Sequence, residues 1–114
     1  MKVRILSCGI LLFSTALIAE TTDQFTIGQQ KAKVCMTCHG ADGISTTDPY
    51  PNLRGQRASY FISALKDYKS RERTSGLAIL MQQQADALTD QDMKDIAYYY
   101  SMLGTKKNKN ESTK

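Results

Sequence analysis

What this sequence lacks narrows it before any motif is read. His39 is the one histidine in 114 residues, and of the three cysteines one, Cys8, lies near the N-terminus. A structural zinc ion takes four ligands, and Cys35, Cys38 and His39 cannot close a tetrahedron alone. No stretch alternates as a strand does, so the βαβ setting of a thioredoxin-like C-x-x-C pair is missing. There are no repeats and no long low-complexity segments. The charge is modest: 15 basic residues against 11 acidic, a formal +4. Two of those basic residues, Lys2 and Arg4, precede an apolar segment that reads as removable. Without them 13 basic residues face the same 11, a net +2, and a nucleic-acid partner is not indicated.

That apolar segment runs from Ile5 to Ala19 without a charge. It is shorter than the roughly 20 residues of a membrane span and suits the h-region of a signal peptide. Cleavage after Ala16 or after Ala19 fits the small residues there, and an uncleaved anchor is the competing reading. The expected organisation is a signal peptide at 1–19, one domain at 20–104 and a disordered polar tail at 105–114. Export points to an oxidising compartment, the periplasm of a bacterium, with no stable membrane insertion after cleavage. A domain of this size has a marginal core unaided, so a large buried cofactor would supply apolar mass.

Cys35-Met36-Thr37-Cys38-His39 reads C-x-x-C-H, the attachment signature for c-type haem. Two thiols on one turn of chain can form thioethers with the two vinyl groups of a porphyrin. The adjoining histidine is then placed to ligate the iron. A plain disulfide would leave His39 unexplained.

The periodicity predicts helices throughout. Phe25, Gly28, Ala32 and Cys35 share one face of a first helix over 23–38. Gly28 is costly inside a helix, and a close crossing with another helix is a reason to accept that cost. Gly40 to Gly43 is turn-rich, and 44–56 reads as loop with Pro49 and Pro51 as breakers. Pro51, twelve residues after His39, offers a carbonyl to the imidazole's second nitrogen. A second helix over 57–70 carries Tyr60, Phe61, Ala64, Leu65 and Tyr68 as its apolar stripe. Arg57 and Arg73 are candidate partners for the carboxylates of a haem. A short helix follows near 77–87. Thr89 caps a last helix over 90–103, whose buried stripe is Met93, Ile96, Ala97, Tyr100 and Leu103 and which Gly104 should stop. Its ring-bearing face is the expected partner for the Gly28 notch. Iron held by His39 needs a second axial ligand or an open position. Met81 stands between the second and last helices, where it could reach the other porphyrin face, whereas Met93 reads as core.

With these residues in hand the chain resembles the class I c-type cytochromes, in particular the small soluble bacterial ones and single halves of their two-haem relatives. The carriers are the run Cys35 to Gly43, the run Tyr50 to Gln56, then Tyr60, Leu65, Glu72-Arg73, Met81, and Leu88 to Tyr99. The resemblance implies an all-α cytochrome c fold, three to four main helices wrapped around one covalently attached haem, with the N- and C-terminal helices crossing. It implies Met81 as distal ligand, seven residues before Leu88, and Pro51 as backbone acceptor for His39. Where many relatives have Asn-Pro or Asp-Pro just before that methionine, this chain has Ile79-Leu80.

The expected function is electron transfer without substrate chemistry, by a carrier that is not an enzyme. It would work between redox partner proteins, such as a membrane cytochrome complex and a terminal oxidase or reductase. Two rivals are a haem subunit of a larger oxidoreductase, and a haem enzyme or gas sensor with a labile distal position. Carbon monoxide binding to the reduced protein separates the last of these from a carrier.

Overall fold

The computed structural model describes residues 1–3, 9 and 23–107. The expected signal peptide therefore falls almost wholly outside the described residues, as does the tail from 108 on. Every regular element among the described residues is an α-helix: α1 (Gln24–Lys31), α2 (Lys33–His39), α3 (Ala58–Lys69), α4 (Ala78–Asp86) and α5 (Asp90–Lys107). Five helices appear where three to four were expected, because the first divides at Ala32. There the chain tightens, and Cys35 donates its N–H only three residues back, to the Ala32 carbonyl at 2.9 Å.

Local chemistry sets most of the ends. The Asp23 carboxylate accepts the Thr26 N–H at 2.9 Å and starts α1. Thr89 and Asp92 cap α5 reciprocally: the Thr89 hydroxyl accepts from Asp92 N–H at 3.1 Å, and the Asp92 carboxylate accepts from Thr89 N–H at 2.9 Å. α3 closes with the N–H of Glu72 on the Asp67 carbonyl and that of Arg71 on the Tyr68 carbonyl. This geometry puts Arg71 at φ 67°, a position that usually holds glycine. The Arg71 guanidinium forks onto Asp86 at 2.9 and 2.7 Å, joining the ends of α3 and α4.

The end of α5 corrects the expectation. Gly104 does not stop the helix, which continues through Lys107. Gly104 serves a different need: a Cβ there would come within 2.7 Å of the Gly55 Cα. The residue is small because the loop before α3 crosses it, and the Gly55 N–H is bound to the Tyr100 carbonyl at 2.9 Å on the same side.

α5 packs against α1 and α3, and α3 also packs against α4. The α1–α5 crossing bears out the notch read at Gly28. A methyl group at Gly28 would be driven into the main-chain carbonyl of Asp95 and to 2.9 Å from the Tyr99 Cβ. Phe25, one turn earlier on α1, lies 5.1 Å from the Tyr99 ring. Met93, Ile96, Ala97, Tyr99 and Tyr100 of α5 join Phe61, Leu65, Ala32 and Ala85 in one core. Met93 is fully buried there, as its place on the stripe predicts.

The crossing is also locked by charge, which the apolar stripe gave no sign of. Lys31 Nζ lies 2.8 Å from both Asp92 Oδ1 and Asp95 Oδ2. Asp95 is buried, and accepts further hydrogen bonds from Gln24 at 3.2 Å and Gln91 at 2.8 Å. The Lys31 hydrogen bond is the first cause that holds the Asp92 carboxyl down at about 2, with bonds from Thr89 adding to it. The same lysine lowers Asp95, working against the cost of burial. A carboxyl depressed by folding stabilises above its unfolded value near 3.8, and that stabilisation is lost as pH falls toward 2. The melting temperature is thus expected to fall between about pH 4 and pH 2. Asp92→Asn should start lower at neutral pH and fall less across that window. Parallel curves for the two proteins would refute the role given to Asp92.

Candidate functional site

α2 ends in the residues that carry the site. Cys35, Cys38 and His39 fall within its last five positions, so one short helix presents two thiols and an imidazole together. Gly40 then takes φ 85° and Gly43 φ 78°, turns that reverse the chain. The Gly43 carbonyl accepts the N–H groups of Leu53 and Arg54 at 2.8 and 3.0 Å, closing the loop on itself. Ser45 N–H on Asn52 Oδ1 at 2.7 Å closes it again from inside. The loop therefore returns Pro51 to His39, and the Nδ1–H of His39 donates to the Pro51 carbonyl at 2.7 Å. With that proton committed, Nε2 keeps its lone pair for a metal. His39 is buried, with the Tyr50 ring 6.2 Å away.

Nε2 belongs to a side chain on the wall of a cavity of about 620 Å³. That volume lies within the roughly 300–1,000 Å³ typical of cofactor sites. All five residues singled out in the sequence share this wall: Cys35, Cys38, His39, Pro51 and Met81. Phe61, Leu65, Ile96 and Leu53 supply apolar lining. Of the two arginines read as carboxylate partners, Arg73 reaches the cavity, with its guanidinium 4.8 Å from the Tyr68 ring centroid. Arg57 does not line it; it is the exposed N-cap of α3.

Neither thiol of the C-x-x-C pair is in a disulfide. Burial pushes Cys35 up to about 11, assisted by the neighbouring Cys38 and opposed by a backbone hydrogen bond. Cys35 lies half-buried against the core with its side chain on the cavity wall. Among the described residues no cluster of three or more His, Cys, Asp and Glu could hold a bare metal ion.

One core residue beneath this wall carries a polar atom that the apolar periodicity could not show. Tyr100 was read as core, and it is, but its hydroxyl has no hydrogen-bond partner. An unpaired buried hydroxyl costs about 1–3 kcal/mol. The apolar periodicity that placed Tyr100 inside carries no information about the far end of its ring. An imidazole nitrogen, a thioether sulfur, two thiols and an apolar wall around one cavity together fit an iron porphyrin.

A helical fold built around such a wall defines a c-type haem protein of the electron-transfer class, with the haem covalently attached. The comparisons agree. The family model described as Cytochrome c matches residues 25–103. Cytochrome c-554(548) of Halomonas halodenitrificans is 46% identical over 74 residues, which are 65% of this chain and 89% of that protein. Cytochrome c4 of Pseudomonas aeruginosa is 38% identical over 84 residues, 74% of this chain but 40% of that protein. The crystal structure of reduced recombinant cytochrome c4 from Pseudomonas stutzeri superposes with a TM-score of 0.57 at 38% identity, covering 66% of this chain and 43% of that one. The chain belongs to the cytochrome c family. It spans nearly all of the c-554(548) protein and less than half of these two cytochromes c4, as a chain resembling one half of the latter should.

Proposed function

We propose that this chain is a periplasmic carrier that takes one electron from one redox protein and passes it to another. The reading rests on one observation: a buried His39, oriented by Pro51, shares a cofactor-sized cavity with Cys35, Cys38 and Met81. When bound, the haem supplies reversible one-electron chemistry at its iron. Cys35 and Cys38 would hold it through thioethers, and His39 Nε2 would be its proximal ligand. The Pro51 carbonyl fixes the imidazole tautomer and makes the ligating nitrogen more basic. Met81 of α4 would be the distal ligand, a soft sulfur that favours the ferrous state. With both His39 and Met81 as ligands the iron would have no place for a substrate, which would separate a carrier from a haem enzyme or gas sensor.

Leu53, Phe61, Leu65 and Ile96 keep water from most of the site, and a dry, preformed wall keeps structural change small when the charge changes. Val34, Leu77 and Leu80 line the same cavity yet are exposed, so its rim is apolar where a partner would approach. A membrane cytochrome complex and a terminal oxidase or reductase are the partners this reading takes. Export is supported by the leader-like residues 1–19 and by the covalent use of both cysteines. Among the described residues no helix is long and apolar enough to cross a membrane.

Expression in a host that attaches c-type haem tests the reading. The purified protein should absorb in the Soret region and weigh more than its amino-acid mass by one haem. The reduced form should resist carbon monoxide at neutral pH. A colourless protein of bare polypeptide mass would end the proposal. Rapid, complete carbon monoxide binding would move it to the open-site class.

A further inference from the structure

The helix that carries Met81 has little apolar weight holding it down. Its buried residues are two alanines, Ala78 and Ala85, while Leu77, Ile79 and Leu80 at its start are exposed. Its first turn has no side-chain cap. Both prolines of the chain lie before α3, so none stiffens the approach to α4. Among the described residues, α3 is the only helix whose main chain comes close to it.

The ties that hold α4 are polar, and they come from the end of α3 and the turn after it. Lys69 Nζ donates to the Leu88 carbonyl at 2.6 Å, just past the end of α4. Gln82 Nε2 donates to the Arg73 carbonyl at 2.9 Å. The Arg71 guanidinium donates twice to the carboxylate of Asp86, the last residue of α4, at 2.9 and 2.7 Å. Its Nη1 also lies 3.2 Å from the carbonyls of both Tyr68 and Lys69. Arg71 is thus fixed to the end of α3 as it reaches across, which offsets the side-chain entropy that weakens an exposed ion pair. Its main chain holds φ 67°, a strained value for a residue with a side chain, and among the described residues no other non-glycine has a positive φ. Glycine would fit that turn but could not reach Asp86.

We propose that Arg71 is a positioning residue for the distal ligand: its fork onto Asp86 holds α4 against α3 and so keeps the Met81 sulfur from leaving the iron. The inference rests on the reading of Met81 as ligand. Met81 and Asp86 belong to one nine-residue helix, so a shift at its end moves the sulfur. Side chains that orient a metal ligand without touching the metal alter how firmly it binds. With the fork broken, α4 keeps only its ties to Lys69 and Gln82, and the sulfur spends more time off the iron. The vacated position takes carbon monoxide, so slow uptake by the reduced protein reports that opening. Arg71→Gly separates this role from plain stability, because glycine relieves the main chain while the fork is deleted.

The experiment uses the haem-loaded full chain, Arg71→Gly, Asp86→Asn, the double variant, and Lys66→Gln as a control that removes one exposed positive charge from α3. The unsubstituted protein comes first. A ferric form without the weak far-red band of sulfur-bound haem, or rapid and complete carbon monoxide uptake by the reduced form, defeats the reading of Met81 and this inference with it. With the band present, Arg71→Gly and Asp86→Asn should each take up carbon monoxide about three to five times faster, the range of a well-formed exposed ion pair. The double variant should be no faster than either, because both single changes break the same contact. On heating, the far-red band should disappear before the helical circular dichroism, with a wider gap in the variants than in the unsubstituted protein. Uptake no faster than in Lys66→Gln, additive effects in the double variant, or a gap that stays unchanged overturns the role of Arg71 while leaving Met81 as ligand. If Arg71→Gly does not accumulate, Asp86→Asn against Lys66→Gln decides by the rate and the gap.

Discussion

Replacing Met81 by alanine should leave a haem protein that has lost its electron-carrier character. The weak far-red band of the ferric form, which reports sulfur bound to iron, should vanish. The reduced protein should bind carbon monoxide rapidly, and the reduction potential should fall by on the order of a few tenths of a volt, a fraction of the roughly 0.8 V that axial ligation spans. Met81 also packs against the core from the cavity wall, so truncation alone removes apolar contact. Met81→Leu separates the two effects, because it keeps the volume and loses the sulfur. Both variants should lose the band and gain the ligand, and only alanine should melt markedly lower. A far-red band that survives Met81→Leu would assign the distal position to another residue.

The second large effect is purely steric. Gly28→Ala inserts a methyl group where the Asp95 carbonyl already sits, with the Tyr99 Cβ behind it. A side chain could rotate away, but a main-chain carbonyl inside α5 cannot. The two helices must separate, which breaks the Phe25–Tyr99 contact and stretches Lys31 from its two carboxylates. Overpacking typically costs 1–3 kcal/mol, and the rigid obstacle puts this case at the upper end, about 3 kcal/mol. For a domain of this size that is a drop of about 12–24 °C in melting temperature. Calorimetry of the haem-loaded protein measures it, and a drop under about 4 °C would mean that the helices do not meet at Gly28 as described. The Soret spectrum should survive at low temperature, since Gly28 does not line the cavity.

These two sites show what the sequence could and could not display. The cofactor chemistry was legible because its residue types are rare and their spacing is covalent logic: Cys35, Cys38 and His39 admit few other uses. Gly28 was legible because a glycine on the apolar face of a helix is a cost that needs a reason. The division of the first helix at Ala32 was not, because alanine is the best helix former and nothing local announces a tightened turn. Gly104 was misread for a related reason. A glycine after an apolar stripe normally caps, and only the tertiary approach of Gly55 shows that it is there for space. The Lys31–Asp92–Asp95 lock was hidden because charges on an amphipathic helix read as solvated. Lys31 lies more than sixty positions from either aspartate, so no local window pairs it with them. Arg57 and Arg73 could not be told apart by pattern, since the choice depends on which of them the turn after α3 aims at the cavity.

The pairing of Gly55 with Gly104, and of the Gly55 amide with the Tyr100 carbonyl, has a consequence for the order of assembly. The segment that delivers Pro51 to His39 leans on the last turns of α5, which come later in the chain than every residue of that segment. The hairpin from Gly40 to Arg54 closes through its own bonds and can bring Pro51 to His39 before α5 docks. What α5 adds is a seat for that hairpin, so a side chain at Gly104 should loosen the loop against the core without touching the imidazole's own bond.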